Sequence, residues 1–384
     1  MIAADRPMLR PPDAKLLYID QCARLVHLPR SAFSGLLRRG DLVIANDAAT
    51  LPASLQGTHW PSEAPVEVRL AGRPTLDLGA VAEFAAIVFG AGDFRTRTED
   101  RPRPPALAPG DELAFGPLRA VVRRLLDHPR FIAIQFRGSP DAIWAGLARH
   151  GKPIQYSHLA SELALWDVWT SNAALPVAFE PPSAGFLFSW QMLADIRAHG
   201  AAFATLTHAA GISSTGDPEL DQRLPFDEPY YIPRATAAAV AIARRHGDRV
   251  IAIGTTVVRA LEHAAMRDGS DAGVRSGFGL ATQRIDSRSE LAVSDAVLSG
   301  THEPGTSHYE LLRAFADDDT LVRANRELNA AAYRTHEYGD SVLIERSKAR
   351  RREADSQSRH SGGRPPNDES IVEAPGGGGT PTAT

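Results

Sequence analysis

The sequence predicts an α/β protein built on a mostly parallel sheet with flanking helices, with an antiparallel β-barrel inserted near its start. Three observations predict it. From about Ser183 onward, strand-like and helix-like segments alternate, as they do in parallel sheets whose crossovers are helical. Between about Pro52 and His150 the pattern changes to short alternating runs separated by Gly, Pro and Asp, the habit of a small antiparallel sheet or barrel. A chain of 384 residues, 43% of them hydrophobic, is long and apolar enough for two cores.

The elements follow in order. "KLLYID" reads as a strand, "PRSAFSGLLRRG" as a helix ended by Gly40, and "DLVIAN" as a short buried strand. The barrel region contributes "APVEVRL", "EFAAIVF", "DELAFG", "LRAVVRRLL" and "RFIAIQF". Beyond it, "SAGFLFSWQMLADIRAHG" reads as one capped helix ended by Gly200, and "AAFATLTH" as a strand. "PRATAAAVAIARRHG" is a helix with Pro233 in its first turn and Gly247 past its last. "RVIAIG" is the next strand, and a helix opens at Thr255 and Thr256. The expected organisation is therefore an α/β unit made of residues 1–51 and 151–346, a barrel at 52–150, and a tail at 347–384. That tail is rich in Gly, Pro, Ser and charge, with little to bury, and reads as disordered.

Composition excludes several classes. The net charge of −4, from 42 basic and 46 acidic residues, provides no global basic field for nucleic acid. Cys22, the lone cysteine, rules out an intramolecular disulfide and a cysteine zinc cluster, and a reducing cytoplasm fits best. The N-terminus lacks the apolar segment of a signal peptide, and no later run is long enough to span a bilayer. "GAGDFR" at Gly90 lacks a third glycine and the strand-to-helix setting of a dinucleotide site, and no phosphate loop, serine elbow or metal-ligand spacing is found. No metal site is expected.

Chemistry is therefore sought at the strand-to-helix junctions, because ligands of parallel sheets bind at the carboxyl ends of the strands. In "GTTVVRALE", Thr255 and Thr256 sit where a helix presents unpaired N–H groups, suited to an anion or a ribose hydroxyl. Arg259 follows by one turn, and Glu262 can accept hydroxyls or pair with it; the same residues also fit an ordinary helix cap with an ion pair. "FEPPSAGFLF" offers Ser183 as a cap and Gly185 where backbone must come close to something. "LTHAAGISS" places His208 at a strand end, where a general base or a structural histidine would stand. "GTHEPGTSHYELLRAFA" brings His302 and the pair Thr306 and Ser307 before a helix. "YGDSVLI" sets Gly339 and Asp340 at the start of the last strand.

The order of these junctions resembles the S-adenosylmethionine:tRNA ribosyltransferase-isomerase family of queuosine biosynthesis. The resemblance covers most of the chain outside the tail, and Gly254 to Glu262 is its most specific piece. It implies an α/β domain with an inserted barrel, and an enzyme that moves the ribosyl part of S-adenosylmethionine (AdoMet) to the aminomethyl group of 7-aminomethyl-7-deazaguanine in tRNA. Adenine and methionine leave, and an epoxycyclopentanediol, the epoxyqueuosine side chain, remains. AdoMet is then a co-substrate, no true cofactor is required, tRNA is the partner, and a cytoplasmic monomer is expected. The sulfonium acidifies the C5′ protons, so a base near that carbon starts the reaction, with His208 and His302 as candidates. Thr255, Thr256 and Arg259 would hold the methionine carboxylate or ribose hydroxyls, and Glu228 or Glu262 would counter the sulfonium.

The chain departs from the family pattern at definite places. It reads "GKPIQYSHL" where the family has Pro-Leu-Pro-Pro-Tyr-Ile, and Leu187 replaces a histidine in "PSAGFLF". Arg223 and Phe226 stand at family histidines, Ala49 and Ser54 at family arginines, and "SGTHEPGTS" lacks the Asn before His-x-Pro. Two alternatives therefore stand beside the main reading. One is a related enzyme using AdoMet or another adenosine donor on a small acceptor; the other is a noncatalytic nucleoside- or RNA-binding module.

Overall fold

The computed structural model describes residues 2–3, 13–266, 273–348 and 350. Of the tail expected at 347–384, all but Ser347, Lys348 and Arg350 lie outside the described residues. A nine-stranded sheet organises the described residues. Its centre is parallel: Ala202–His208, Leu42–Asn46, Val250–Ile253 and Ala296–Gly300 lie side by side in that order.

The flanks correct the expectation of a mostly parallel sheet. Glu228–Ile232 and then Gly277–Ala281 add antiparallel on one side; on the other, Ser341–Glu345 runs antiparallel to Ala296–Gly300. Lys15–Ile19 pairs parallel to Ser341–Glu345, and Leu25–Pro29 returns antiparallel at the edge. The sheet is mixed, and connection length accounts for the first of these antiparallel pairings. A parallel neighbour needs a substantial crossover, usually a helix, whereas His208 and Glu228 are joined by a loop holding only the one-turn helix Pro218–Asp221.

Alternation along the strands divides the core between the two faces. Leu17, Ile44, Ala252, Val297 and Ile344 pack on one face, with the helices Arg234–His246, Thr255–Ala264 and Asp318–Ala330. Leu16, Val43, Ile251, Leu298 and Leu343 pack on the other, against Met192 and Ile196 of the helix Trp190–Ala198. Burying each such side chain contributes about 1.5–3 kcal/mol. Helix ends follow local chemistry. Gly247, at φ 74°, closes Arg234–His246 in the left-handed conformation and donates its N–H to Ala243 and Arg244 carbonyls. The segment expected as one helix from Ser183 to Gly200 is instead a 3₁₀ turn, Ser183–Leu187, followed by a helix that Ser189 caps through the Met192 N–H. "PRSAFSGLLRRG" likewise forms a 3₁₀ helix, Arg30–Leu36.

The antiparallel region closes into a six-stranded barrel among the described residues. Ser54–His59, Ala64–Gly72, Glu83–Phe89, Phe131–Phe136, Leu118–His128 and Glu112–Phe115 pair in turn, and the last meets the first through Thr58 opposite Ala114. Closure removes the unpaired edges. A helix, Pro140–His150, capped by Ser139, leads out of the barrel. The barrel core is shared: Phe179, Ile212, Leu220 and Leu224 pack into it from outside the barrel strands. That shared core fixes the barrel beside the carboxyl ends of the parallel strands.

The opposite end of the sheet holds a charged lock. Arg249, buried just before Val250, pairs with Asp41 and Glu345, and its Nη2 also donates to the Leu36 carbonyl at 3.0 Å. It holds strand ends together and lies away from the cavity described next.

Candidate active site at the carboxyl ends of the parallel strands

A cavity of about 500 Å³ opens where the parallel strands end, within the range of about 300–1,000 Å³ usual for small-ligand sites. Three of the four strands deliver a segment to it. Val250–Ile253 ends at Gly254, whose φ of 101° turns the chain into the helix Thr255–Ala264 and aims that helix's first N–H groups at the cavity. Ala296–Gly300 ends at Thr301 and His302, and Ala202–His208 leads to Ala210 and Gly211.

Thr255, Thr256 and Arg259 all line the cavity. Thr255 Oγ1 shares a hydrogen bond of 2.8 Å with Nδ1 of His308, and the His308 ring stacks on His302 with centroids 4.6 Å apart. His302 Nε2 is in turn bonded to Ser299 Oγ at 2.8 Å. Burial lowers the pKa of both histidines, and their proximity lowers that of His302 further. Both are therefore neutral near pH 7, with burial opposing their protonation.

Arg259 is a buried cation held on several sides. Nη1 donates to Glu228, Nε to the Gln283 carbonyl at 3.0 Å and Nη2 to the Ala281 carbonyl at 2.8 Å. Glu228, also on the lining, accepts a second bond from the Gly211 N–H. Desolvation raises the Glu228 pKa against the opposing pull of Arg259. The arginine is thus framework and wall together, and its positive charge is largely matched by Glu228 before any ligand arrives.

His208 stands one layer behind this pair, outside the lining. Its ring is fully buried, and Nε2 lies 3.4 Å from Glu228 Oε2, without hydrogen-bond alignment to any described residue. Asn46 fixes its backbone, accepting from the His208 N–H and donating to its carbonyl, both at 2.9 Å. Burial, with Arg259 adding to it, pushes its pKa down to about 3. What separates it from His302, whose pKa burial also depresses strongly, is its place outside the lining.

The remaining sequence candidates divide between lining and framework. Ser183 lines the cavity, but as the start of a 3₁₀ turn with no side-chain cap bond among the described residues. Gly185 is buried away from it; a Cβ there would stand 3.0 Å from Thr170 Cγ2, so the close approach is to Thr170. Glu262, expected as a ligand to sugar hydroxyls or a partner of Arg259, does neither. Its carboxylate accepts the N–H groups of Ala292 (2.6 Å), Val293 (3.1 Å) and Ser294 (2.8 Å). Asp340 accepts from the N–H groups of Lys15 and Arg334, each at 2.8 Å, and from Arg334 Nη2 at 3.1 Å, tying the last strand to its neighbours.

A second wall went unread in the sequence. Glu180, buried on the lining, accepts from the Tyr156 hydroxyl and, at 3.0 Å, from the Ser213 N–H. Desolvation, reinforced by the nearby Glu337 carboxylate, pushes its pKa up to about 7. His336 and Glu337 line the same side, and His158 stacks on His336 at 4.1 Å. The available signal was slight: an acidic residue before Pro181 and Pro182, and "HE" ahead of the glycine turn. Only the fold brings 156–158, 180 and 336–337 together.

A ligand-sized cavity at the carboxyl ends of the parallel strands, in a chain that also carries a closed barrel, marks an α/β protein with a small-ligand site. Comparison with known proteins narrows it. Residues 1–344 match the family model described as Queuosine biosynthesis protein, and the chain belongs to that family. Among curated relatives, the S-adenosylmethionine:tRNA ribosyltransferase-isomerase of Sorangium cellulosum is 33% identical over 370 residues, 89% of this chain and 95% of its own. The enzyme of the same name from Synechococcus elongatus is 30% identical over 343 residues, covering 86% and 89%. The solved S-adenosylmethionine tRNA ribosyltransferase of Thermotoga maritima aligns over 89% of this chain and 96% of that one, at 21% identity and a TM-score of 0.47.

Proposed function

We propose that the protein is an S-adenosylmethionine:tRNA ribosyltransferase-isomerase, moving the ribosyl part of AdoMet to 7-aminomethyl-7-deazaguanine in tRNA with release of adenine and methionine. Family membership and the names of its relatives support the reading over the two alternatives. The observation that carries it within this chain is the composition of the cavity. A helix N-terminus with two threonines, a buried arginine–glutamate pair and two stacked neutral histidines converge on one ligand-sized space.

The parts suit AdoMet consumed as a co-substrate. Thr255 and Thr256, with the N–H groups beside them, hold the methionine carboxylate or the ribose hydroxyls. Glu228 offers negative charge to the sulfonium, and Arg259 keeps that carboxylate oriented. His302 is the candidate base for the C5′ proton, and His308 supports it through stacking and through its bond to Thr255. His208 acts as a positioning residue behind Glu228. Ser183 forms part of the wall, while Gly185, Glu262 and Asp340 hold the framework.

On this reading residues 1–51 and 151–346 form the catalytic unit, and 52–150 is an inserted barrel. On the same reading the protein works as a cytoplasmic monomer. No helix among the described residues is long and apolar enough to cross a membrane. Calorimetric titration with AdoMet tests the donor site. Thr256→Val should weaken binding about tenfold, a loss of about 1.4 kcal/mol, while His302→Asn should leave binding within twofold and suppress turnover. Equal AdoMet affinity in the wild type and Thr256→Val would remove the threonine junction from the donor site.

A further inference from the structure

We infer that His158, His336 and Glu337 form a binding site for a divalent transition-metal ion on the wall of the cavity. Each offers one ligand atom, and the three atoms lie within 4.8 Å of one another. Two of the residues, His336 and Glu337, line the cavity itself, so an ion held there would keep open positions toward a bound substrate. Two imidazoles and one carboxylate are a donor set suited to Zn²⁺, Co²⁺ or Fe²⁺ rather than to Mg²⁺ or Ca²⁺, which prefer oxygen.

Three further features point the same way. His158 Nε2 and Glu337 Oε2 are both buried and approach to 3.3 Å, yet neither has an aligned hydrogen-bond partner among the described residues. They face each other as an ion pair without good hydrogen-bond alignment, and a cation between them would take a lone pair from each. The ligand rings are also brought side by side. Tyr156, His158 and His336 form a ladder of nearly parallel rings, with interplanar angles of 13° and 12°, and Tyr156 is anchored by its hydroxyl to Glu180 and the Ser214 carbonyl.

Finally, His336 holds a left-handed backbone, φ 67°, in the turn its carbonyl makes with the Gly339 N–H. Such a conformation is uncommon for a residue with a side chain. A simple ion pair between His158 and Glu337 would need neither His336 nor its strained backbone. Bond lengths near 2.1 Å require ligand atoms closer than they now stand, and parallel stacked rings do not aim their nitrogen lone pairs at one point, so binding requires the His158 and His336 rings to rotate out of their stack.

The site includes His158 of "GKPIQYSHL", one of the segments where the sequence departs from the family pattern. It does not depend on the acceptor being tRNA. A bound ion would hold a carbonyl, carboxylate or hydroxyl oxygen of whatever ligand occupies this half of the cavity.

The test uses the untagged full chain, stripped with chelator and titrated with Co²⁺ and Zn²⁺. The expected result is one Co²⁺ per chain with the visible absorption of a four- or five-coordinate ion, displaced by Zn²⁺. His336→Ala and Glu337→Gln should each weaken uptake at least tenfold while leaving the metal-free thermal midpoint unchanged. If a variant fails to fold, His158→Gln supplies the same comparison. Absence of saturable uptake in the wild type, or uptake equal in the wild type and all folded variants, overturns the proposal.

Discussion

Lowering the pH from 7 to 5 should destabilise the protein through His208, and the size of the effect follows from its surroundings. The folded state holds this histidine neutral, with a pKa near 3 against 6.5 for the ordinary side chain, because its ring is fully buried beside the Arg259 cation. In the unfolded chain it takes up a proton once the pH drops below 6.5. The unfolded state therefore binds more protons across the window from 6.5 down to about 3, and stability falls as the pH falls through it. At pH 5 the shift in play is about 1.5 units, a loss of about 2 kcal/mol from this one side chain. His208→Gln, which cannot protonate, removes the term. Urea unfolding of both proteins at the two pH values gives the comparison, since other titrating groups are common to both. The wild type should lose about 2 kcal/mol more than the variant. Equal losses would show that His208 protonates freely in the fold, which would return it to consideration as a general base.

Other outcomes follow from the same geometry. Glu262→Gln weakens a carboxylate that accepts three backbone N–H groups, so stability should drop by about 1–3 kcal/mol while the AdoMet dissociation constant stays within twofold. Urea unfolding and calorimetry separate the two effects. In Gly211→Ala the new Cβ would stand 2.9 Å from Glu228 Oε1 and 3.2 Å from the Ala71 carbonyl oxygen, so the carboxylate must move. AdoMet affinity should fall about tenfold, about 1.4 kcal/mol; an unchanged affinity would exclude Glu228 from the donor site. Glu180 titrates with the opposite sign to His208. Its pKa of about 7 lies above the ordinary 4.5, so the folded state binds the extra proton and stability falls as the pH rises through that interval. In the presence of chelator, Glu180→Gln should abolish a decline of about 3 kcal/mol between pH 4.5 and pH 7.

The local signals in the sequence were strong where one segment determines its own structure. The glycine and threonines at 254–256 mark a strand end and a helix start without tertiary help, and Gly247 marks a helix stop through its left-handed φ. The barrel runs from Ala64 to Phe136 were visible because inward and outward residues alternate. The strand Ser54–His59 was not, since Gln56, Gly57 and Thr58 dilute its apolar pattern. The antiparallel flank escaped for a related reason. Pro229 interrupts Glu228–Ile232, and the edge strand Gly277–Ala281 carries two glycines, both weak β-formers.

Site residues were legible in proportion to how local they are. Thr255, Thr256 and Arg259 share one helix and were found together. Glu262 sits on the same helix, but its partners at 292–294 are set by a distant loop, so spacing could not reveal that its carboxylate is already occupied. The wall of Tyr156, His158, Glu180, His336 and Glu337 joins three separate segments across the barrel junction. Nothing in the sequence near any one of them announces the others.

The most direct test of the central claim is a chromatographic assay for adenine and methionine. The protein is incubated with AdoMet in the presence of tRNA bearing 7-aminomethyl-7-deazaguanine, and in parallel with tRNA lacking that base. The account predicts stoichiometric release of both products only with the modified tRNA, together with gain of the ribosyl-derived mass on that base. Release independent of the base, or its absence in both reactions while AdoMet still binds, would contradict it.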